Sequence, residues 1–482
     1  MQFNSYIFIL VFLPVFLIGY FVLCKIRPLA GKLFLIAGSI VFYLYGGILP
    51  AVVLGISILV NLLVSVLISR IQKYSRLFVI TGIAVNIALL FFYKYFGFAI
   101  TAVNQIFHKE LTVSNLLLPL GISFFTFQQI MYIVNVYRKE IAFVSVTDYL
   151  AYILYFPKLI MGPLAEPRDI IDQLNEESRM HVNWANVASG VKIFSFGLFK
   201  KMILADTFSR AVGWGFEHLS EASAGDLFLV MLFYTFEIYF DFSGYTDMAV
   251  GVAGMMNIDL PMNFDSPYKA VSIRDFWKRW HISLTRFLTK YLYIPLGGSK
   301  KGTVRTYVNI LLVFLISGLW HGANWTFLLW GILHGLLQVI ERAFDKARGK
   351  LFAVVGWLYT FFFVNLLWLL FRSESIAQWF TMLKKMFKFQ DMALSADLLD
   401  SFSLPEITFF SDALHLSKVF EAVRGLPMIL FILAAFLICL VPENNYKTRT
   451  KRSAAGMILC AAAFIWGFLC LGGESVFVYF NF

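Results

Sequence analysis

The residues most able to do chemistry are histidines placed where lipid-compatible sequence surrounds them. "SGLWHGANWTFLLWGILHG" (317–335) carries His321 and His334 inside an otherwise apolar stretch. Ionisable side chains at membrane depth are costly and mark functional positions. Gly322 marks a break in the helix after His321, and such breaks are tolerated only beside protein or water. A neutral imidazole facing a cavity there takes a proton from a hydroxyl nucleophile as a general base. It needs a partner that fixes its tautomer, and Asn324 or His281 has the chemistry to serve. The same local pattern also fits a packing histidine bonded to a backbone carbonyl, so spacing alone leaves both readings open. His334, between Gly331 and Gly335, reads as a structural hydrogen-bonding residue on a tightly packed helix. His281, beside Arg279 and Trp280, gains no role from spacing alone, and His108, His181, His218 and His415 fall in loops or segment ends.

A second constellation lies in "FEIYFDFSGYTDMAVGVAGM" (236–255), where Glu237, Asp241, Ser243, Tyr245, Thr246 and Asp247 interrupt an apolar run. Asp241 and Tyr245 are four residues apart and share a helix face. Gly244, Gly251 and Gly254 permit close helix approach. These groups either line a hydrated cavity or form a polar seam between helices. No other catalytic signature competes: there is no Walker loop, no H-E-x-x-H and no G-x-S-x-G in a triad order. Cys24, Cys439, Cys460 and Cys470 lack metal-site spacing and read as buried small apolar residues.

The elements that must hold these groups follow from composition. Of the 482 residues, 60% are hydrophobic and 14% charged, against about 25% charged in soluble domains. The solvent for most of the chain is therefore lipid. Apolar runs recur near 5–24, 32–48, 50–69, 77–97, 116–137, 148–162, 188–205, 226–253, 305–320, 324–341, 352–371, 426–442 and 454–472. They predict an all-α integral membrane protein with roughly 11–13 membrane elements, some of them re-entrant or interfacial. The net charge of +11 belongs to orienting loops rather than to a nucleic-acid surface. Placing the basic clusters at 24–32, 69–76, 137–140, 274–305, 341–350 and 444–452 in the cytoplasm puts both termini outside. The N-terminus has no basic region or small-residue cleavage site and reads as a retained first helix.

Residues 373–425 form an outer-face linker with the pattern of short helices. The stretch "SIRDFWKRWHISLTRFLTKYLYIPLGG" (272–298) reads as one amphipathic helix, with Phe276, Trp280, Leu284, Phe287, Leu288 and Tyr291 on its apolar face. It either lies at the membrane surface and positions its neighbours or offers a basic dock for an acidic partner.

The run from "FDFSGYTDMAVG" through "RDFWKRWHISLTRFL" to "SGLWHGANWTFLLWGILHG" resembles the membrane-bound O-acyltransferase family, and most closely its bacterial branch that O-acetylates alginate and other extracellular polysaccharides. "LPLGISFFTFQQIMYIVNVYR" (118–138), "YFPKLIMGP" (155–163), "GLFKKMILAD" (197–206), "LLWLLFR" (366–372) and "FVYFNF" (477–482) agree. The resemblance implies a ring of helices around a thin centre with a funnel that meets the catalytic histidine. It carries the essential family histidine onto His321 and the second recurrent one onto His281. It implies one polytopic domain over 1–482, with a catalytic core at 116–372 and an extracytoplasmic tail at 473–482. Trp320, Asn324, Asp241 and Tyr245 would support or line the site. Tyr479 matches a position associated with acyl relay, although an aromatic tail is also an ordinary interfacial anchor.

The implied activity moves an acetyl group from a cytoplasmic thioester to an extracytoplasmic polysaccharide, directly or through an extracytoplasmic acetyltransferase partner. The donor is acetyl-CoA or a carrier-protein-bound acyl group, and no metal or resident cofactor is implied. The location is the bacterial cytoplasmic membrane. Two other readings stand beside it: D-alanyl transfer to teichoic acids on the same scaffold, and transport of a polysaccharide or lipid intermediate.

Overall fold

The computed structural model describes residues 1–112, 117–142, 145–344, 353–413, 415, 423–472 and 477. Helices and their connections account for these residues, and no strand occurs among them. In lipid a helix satisfies its own backbone, so an apolar chain has little alternative. Among the described residues, seven helices are long and apolar enough to cross a membrane: Ile7–Ile26, Ile48–Arg70, Gln72–Phe107, Ala224–Met255, Thr303–His321, Ala353–Arg372 and Ala454–Gly472. Pro28–Leu44 and Leu426–Leu440 are shorter apolar helices. The chain is a multi-pass membrane protein.

The remaining expected elements take other forms. Ile122–Tyr137 is a helix whose side chains are buried along nearly its whole length, Gln128, Gln129 and Asn135 included. The 148–162 run breaks at Tyr155 into Val146–Leu154 and Phe156–Leu159. The 373–425 linker contains the helices Ile376–Met386, Ala396–Asp400 and Pro405–Ala413.

The chain gathers into two compact units. The first comprises residues 1–197, 245–262 and 449–462. Its core is aromatic: the Phe156 ring meets Phe12, Phe16 and Phe42 at centroid distances of 5.4, 5.0 and 5.0 Å. Several polar groups inside it are paired, which an apolar solvent favours. The Asn61 and Asn86 amides exchange hydrogen bonds of 3.2 and 2.6 Å between two helices. The buried Lys158 Nζ donates to the Gln128 side-chain oxygen and sits 3.9 Å from the Tyr152 ring centroid. Gly190 and Gly251 face each other so closely that a Cβ on either would lie within 2.7 Å of the other's carbonyl oxygen.

The second unit comprises residues 198–244, 263–448 and 463–482. Its frame is the hairpin of Thr303–His321 and Trp325–Ala343. Small residues let the two backbones touch: a Cβ at Gly318 would lie 2.2 Å from the Phe327 carbonyl oxygen, and one at Gly331 would lie 2.3 Å from that of Phe314. Asn365, on Ala353–Arg372, accepts a 2.6 Å hydrogen bond from the Thr235 hydroxyl on Ala224–Met255. The Tyr268 hydroxyl donates to the Thr235 carbonyl at 2.6 Å, and the Trp357 indole to the Tyr268 carbonyl at 2.8 Å.

This packing gives a contrast to test. Gly318→Ala forces a methyl into a backbone carbonyl and should destabilise by roughly 1–3 kcal/mol. Gly213→Ala, in a helix with open space around it, should be neutral or stabilising by up to about 1 kcal/mol. Thermal unfolding in one detergent reads both, and equal midpoints would contradict the packing account.

Candidate active site

The predicted amphipathic helix 272–298 is not one helix. It breaks between Ile273–Arg279 and Ile282–Leu288, and a short π-helical turn, Thr289–Tyr293, follows. The residue at the break is His281, with φ 44° and ψ 53°. A left-handed conformation in a non-glycine residue costs about 1–3 kcal/mol and persists only where its surroundings enforce it. They do so here through an upstream segment. The Ile282 N–H donates to the Asn263 carbonyl at 2.9 Å, and the Asp265 N–H donates to the Arg279 carbonyl at 2.9 Å. Phe276, Trp280 and Leu284, on its expected apolar face, are each no more than 1% exposed, while Lys278 and Arg286 are exposed.

The Asn263 side chain then fixes the imidazole. Its Oδ1 accepts from the Ser283 backbone N–H at 3.2 Å and from the Ser283 hydroxyl at 2.8 Å, and lies 3.1 Å from His281 Nδ1. A backbone N–H only donates, so the amide atom facing it is oxygen. His281 Nδ1 therefore carries its proton, and Nε2 holds the lone pair. That Nε2 is buried with no hydrogen-bond partner among the described residues. His281 lies between the spans rather than in one, and burial pushes it down to about 3, so the ring is neutral.

His321 is the last residue of Thr303–His321, where the sequence places the break. Its ring is 6.5 Å from that of His281, and Trp320, Trp330 and Phe371 surround it at 4.9, 5.3 and 5.3 Å. Trp320 also reaches His281 at 6.0 Å. The two histidines are thus neighbours in an aromatic box. Asn324 is not the expected partner of His321. It caps Trp325–Ala343, accepting from the Thr326 N–H at 3.2 Å and donating to the Glu374 carbonyl at 2.9 Å. His334 accepts at Nδ1 from the Trp277 indole at 3.2 Å, which places its proton on Nε2, the opposite tautomer from His281.

Two positioning groups had no role in the sequence reading. One is Asn263. The other is Glu341, buried at the far end of Trp325–Ala343, whose carboxylate accepts from the Ile273 and Arg274 N–H groups at 2.8 and 3.1 Å. Together with Ser272, which accepts from the Asp275 N–H at 2.9 Å, it holds the start of the segment that ends at His281. The available signal was a carboxylate closing an apolar helix.

A cavity of about 360 Å³ opens beside this segment. Arg274, Lys278 and Arg342 supply its charge, and Trp277, Leu284, Leu288 and Phe314 its apolar wall. It reaches Ser317, one helical turn before His321. Asp241 does not belong to this wall: its carboxylate pairs with Lys201 Nζ at 2.7 Å, both side chains 1% exposed. Tyr245 belongs to the first unit and packs on Phe3 at 5.0 Å. Tyr479 lies outside the described residues.

The sequence model of the MBOAT, membrane-bound O-acyltransferase family, matches residues 64–377. The chain belongs to this family and is an acyltransferase. It is 36% identical to the peptidoglycan O-acetyltransferase of Helicobacter pylori over 100% of this chain and 97% of that protein. It is 38% identical to the probable alginate O-acetylase AlgI of Azotobacter vinelandii, over 82% of this chain and 80% of that protein. The teichoic acid D-alanyltransferase of Lacticaseibacillus rhamnosus is more distant, 27% identical over 48% of this chain and 60% of that protein.

The His281 geometry carries a spectroscopic prediction. Because the folded pKa lies below the ordinary value of about 6.5, the neutral ring contributes stability above that pH. That contribution is lost as pH falls from there toward 3. Nitrogen-15 shifts of His281 should stay those of a neutral Nδ1–H ring from about pH 5 to about pH 8. Asn263→Ala removes the shared acceptor; it should mix the tautomers and cost about 1–3 kcal/mol. A titration near pH 6.5 in the folded protein would refute the assignment.

Proposed function

We propose that this chain transfers an acetyl group from a thioester donor to hydroxyls of an extracytoplasmic cell-wall polysaccharide. The observation that carries the reading is the pairing of His281 and His321 in one aromatic box, His281 with its Nε2 buried and without a hydrogen-bond partner among the described residues. The full-length similarity to a peptidoglycan O-acetyltransferase supports a cell-wall glycan as acceptor. Alginate-type exopolysaccharide is the second reading, favoured by the 38% identity to an alginate O-acetylase.

His321 removes the proton of the attacking hydroxyl as its oxygen bonds to the thioester carbonyl carbon. The tetrahedral intermediate collapses, the carbon–sulfur bond breaks, and the proton passes to the departing thiolate. His281 Nε2 offers a second acceptor that orients the hydroxyl. The cavity suits the donor: apolar walls for an acyl-bearing arm, and Arg274, Lys278 and Arg342 for its phosphates. Both acetyl-CoA and a carrier-bound arm present such phosphates on the cytoplasmic side. In the relayed route the first hydroxyl is the Tyr479 phenol, ordinarily of pKa about 10. It needs the base to become a nucleophile, and as an aryl ester it is a good onward donor to an extracytoplasmic partner. Transport, the reading drawn from intramembrane charges, is the reading from another class, and membership of an acyltransferase family weighs against it.

His321→Ala should lower the alkali-released acetate of cell-wall polysaccharide in a complemented null strain by roughly 10²–10⁴-fold. Wild-type acetate in a strain expressing the variant would sink the proposal. Peptidoglycan and secreted polysaccharide are assayed separately, and ester-linked D-alanine in parallel; loss of D-alanine alone would shift the assignment to D-alanyl transfer. Replacing Lys278 and Arg342 together by Gln should raise the donor KM about tenfold, or ~1.4 kcal/mol, with kcat changed little. An unchanged KM would place the donor elsewhere.

A further inference from the structure

A small polar pocket in the first unit takes no part in the reaction as written. Its volume is about 190 Å³. Three segments meet there: the first half of Trp184–Phe199, the end of Ala224–Met255 with the residues that follow, and Arg449 with Thr450. Its lining carries one charge of each sign. Arg449 Nη2 stands 3.3 Å from one Asp259 carboxylate oxygen, and Arg179 Nη1 stands 3.3 Å from the other. Arg449 and Asp259 both stay open to the outside, their side chains 27% and 58% exposed. The amides beside them have a fixed orientation. Asn257 Nδ2 donates to the Arg179 and His181 carbonyls at 2.9 and 2.7 Å, so its Oδ1 accepts from Asn186 Nδ2 at 3.0 Å. Asn186 Oδ1 is left as an acceptor with no hydrogen bond among the described residues.

The pocket lies at the edge of the hydrocarbon layer. Ala224–Met255 has 32 residues and is about 48 Å long at about 1.5 Å per residue, against a hydrocarbon core of about 30 Å. Its ends therefore stand in the headgroup layers. Thr450 comes just before the span Ala454–Gly472. Trp184, at the start of its helix, is exposed, and tryptophan favours the headgroup layer. Ile193, Val250 and Ile258 give the pocket an apolar side. Met457, Ile458 and Leu459, on the helix after Thr450, are exposed where lipid chains can cover them.

We propose that this pocket binds the headgroup of a membrane phospholipid that carries a primary ammonium, the phosphoethanolamine class. The phosphate oxygens accept from the Arg449 guanidinium and the Thr450 hydroxyl. The ammonium has three donors and no acceptor, and it donates to the Asp259 carboxylate and to Asn186 Oδ1. Hydrogen bonds between such ionised partners are about twice as strong as neutral ones. A purely anionic headgroup meets Asp259 as a like charge. A quaternary ammonium has no N–H to give to either acceptor. The apolar side formed by Ile193, Val250 and Ile258 borders the glycerol and ester region of the lipid.

The test titrates the full-length protein in detergent with dioleoyl phosphatidylethanolamine, phosphatidylcholine and phosphatidylglycerol, read by native mass spectrometry. Wild type should bind the ethanolamine lipid about fivefold or more tightly than either of the others, or ~1 kcal/mol. Arg449→Gln removes the phosphate contact and should weaken the ethanolamine and glycerol lipids alike, by about tenfold. Asp259→Asn removes the ammonium contact; it should weaken the ethanolamine lipid about fivefold and leave the glycerol lipid bound as tightly or more so, which also shows that the variant is folded. Thr450→Val, weakening both by about threefold, replaces Arg449→Gln should that variant not fold. Equal binding of the three lipids by wild type would overturn the proposal. Preference for phosphatidylglycerol would reduce the pocket to an anion site and overturn it too. The expected ranking left unchanged by every substitution would put the lipid elsewhere on the protein. Soluble phosphoethanolamine that displaces the lipid at equal concentration would give the pocket to a free phosphate ester and remove the membrane lipid as its occupant.

Discussion

One amide oxygen organises the candidate site. Asn263 Oδ1 receives the Ser283 N–H, the Ser283 hydroxyl and the His281 Nδ1–H. The first of these decides the chemistry of the third, because a backbone N–H has no acceptor role and so fixes the orientation of the amide. The backbone bonds of residues 263–265 to 279–282 hold the chain in the one conformation that lets the side-chain contacts form. The left-handed residue costs about 1–3 kcal/mol, and three hydrogen bonds at about 1 kcal/mol each are of the size needed to offset it. Remove the oxygen, and the strain, the break and the tautomer all lose their support together.

That local arrangement is tied to the hairpin at two places. His321 stands at the turn of the hairpin, and Glu341 near the end of its second helix, sixteen residues beyond Trp325. At 1.5 Å per residue this is about 24 Å of helix. The Glu341 carboxylate caps the segment that terminates in His281. One helix thus follows the turn that ends at His321 and also holds the start of the segment carrying His281. The glycine contacts that bring the two hairpin backbones together keep this frame from sliding. A tightly packed pair of helices is in this sense part of the site.

The sequence shows some of this plainly and hides the rest for identifiable reasons. The helical membrane class follows from composition, since an apolar chain of this kind has few ways to satisfy its backbone in lipid. The end of the helix at His321 is legible because Gly322 and Asn324 are a stop and a start. The break at His281 is not legible. Phe276, Trp280, Leu284 and Leu288 keep helical spacing across it, and the cause lies eighteen residues upstream in Asn263, outside any local window. Asp241 reads as an intramembrane charge, which it is, but periodicity does not reveal that Lys201 neutralises it. Tyr245 follows Asp241 by four residues on the same helix, yet its neighbour is Phe3, near the start of the chain. Helix spacing says which residues share a face and nothing about what meets that face.

The interior charges and the histidines obey different rules, and the difference bears on the proposed reaction. Lys201 is buried with two carboxylates, and Glu341 with two backbone N–H groups. Each charge has its compensation, as low-dielectric burial requires. His281 has no carboxylate hydrogen-bonded to it; its Nδ1 partner is an uncharged amide. Acyl transfer from a thioester to an alcohol consumes no net proton: the hydroxyl loses one and the thiolate gains one. In the proposed reaction His321 takes that proton and returns it within one turnover. His281 only accepts a hydrogen bond from the hydroxyl, and for that role it must stay neutral. A permanently charged partner at Nδ1 would stabilise its imidazolium and put a proton on Nε2. The uncharged amide of Asn263 fixes the ring and leaves Nε2 an acceptor.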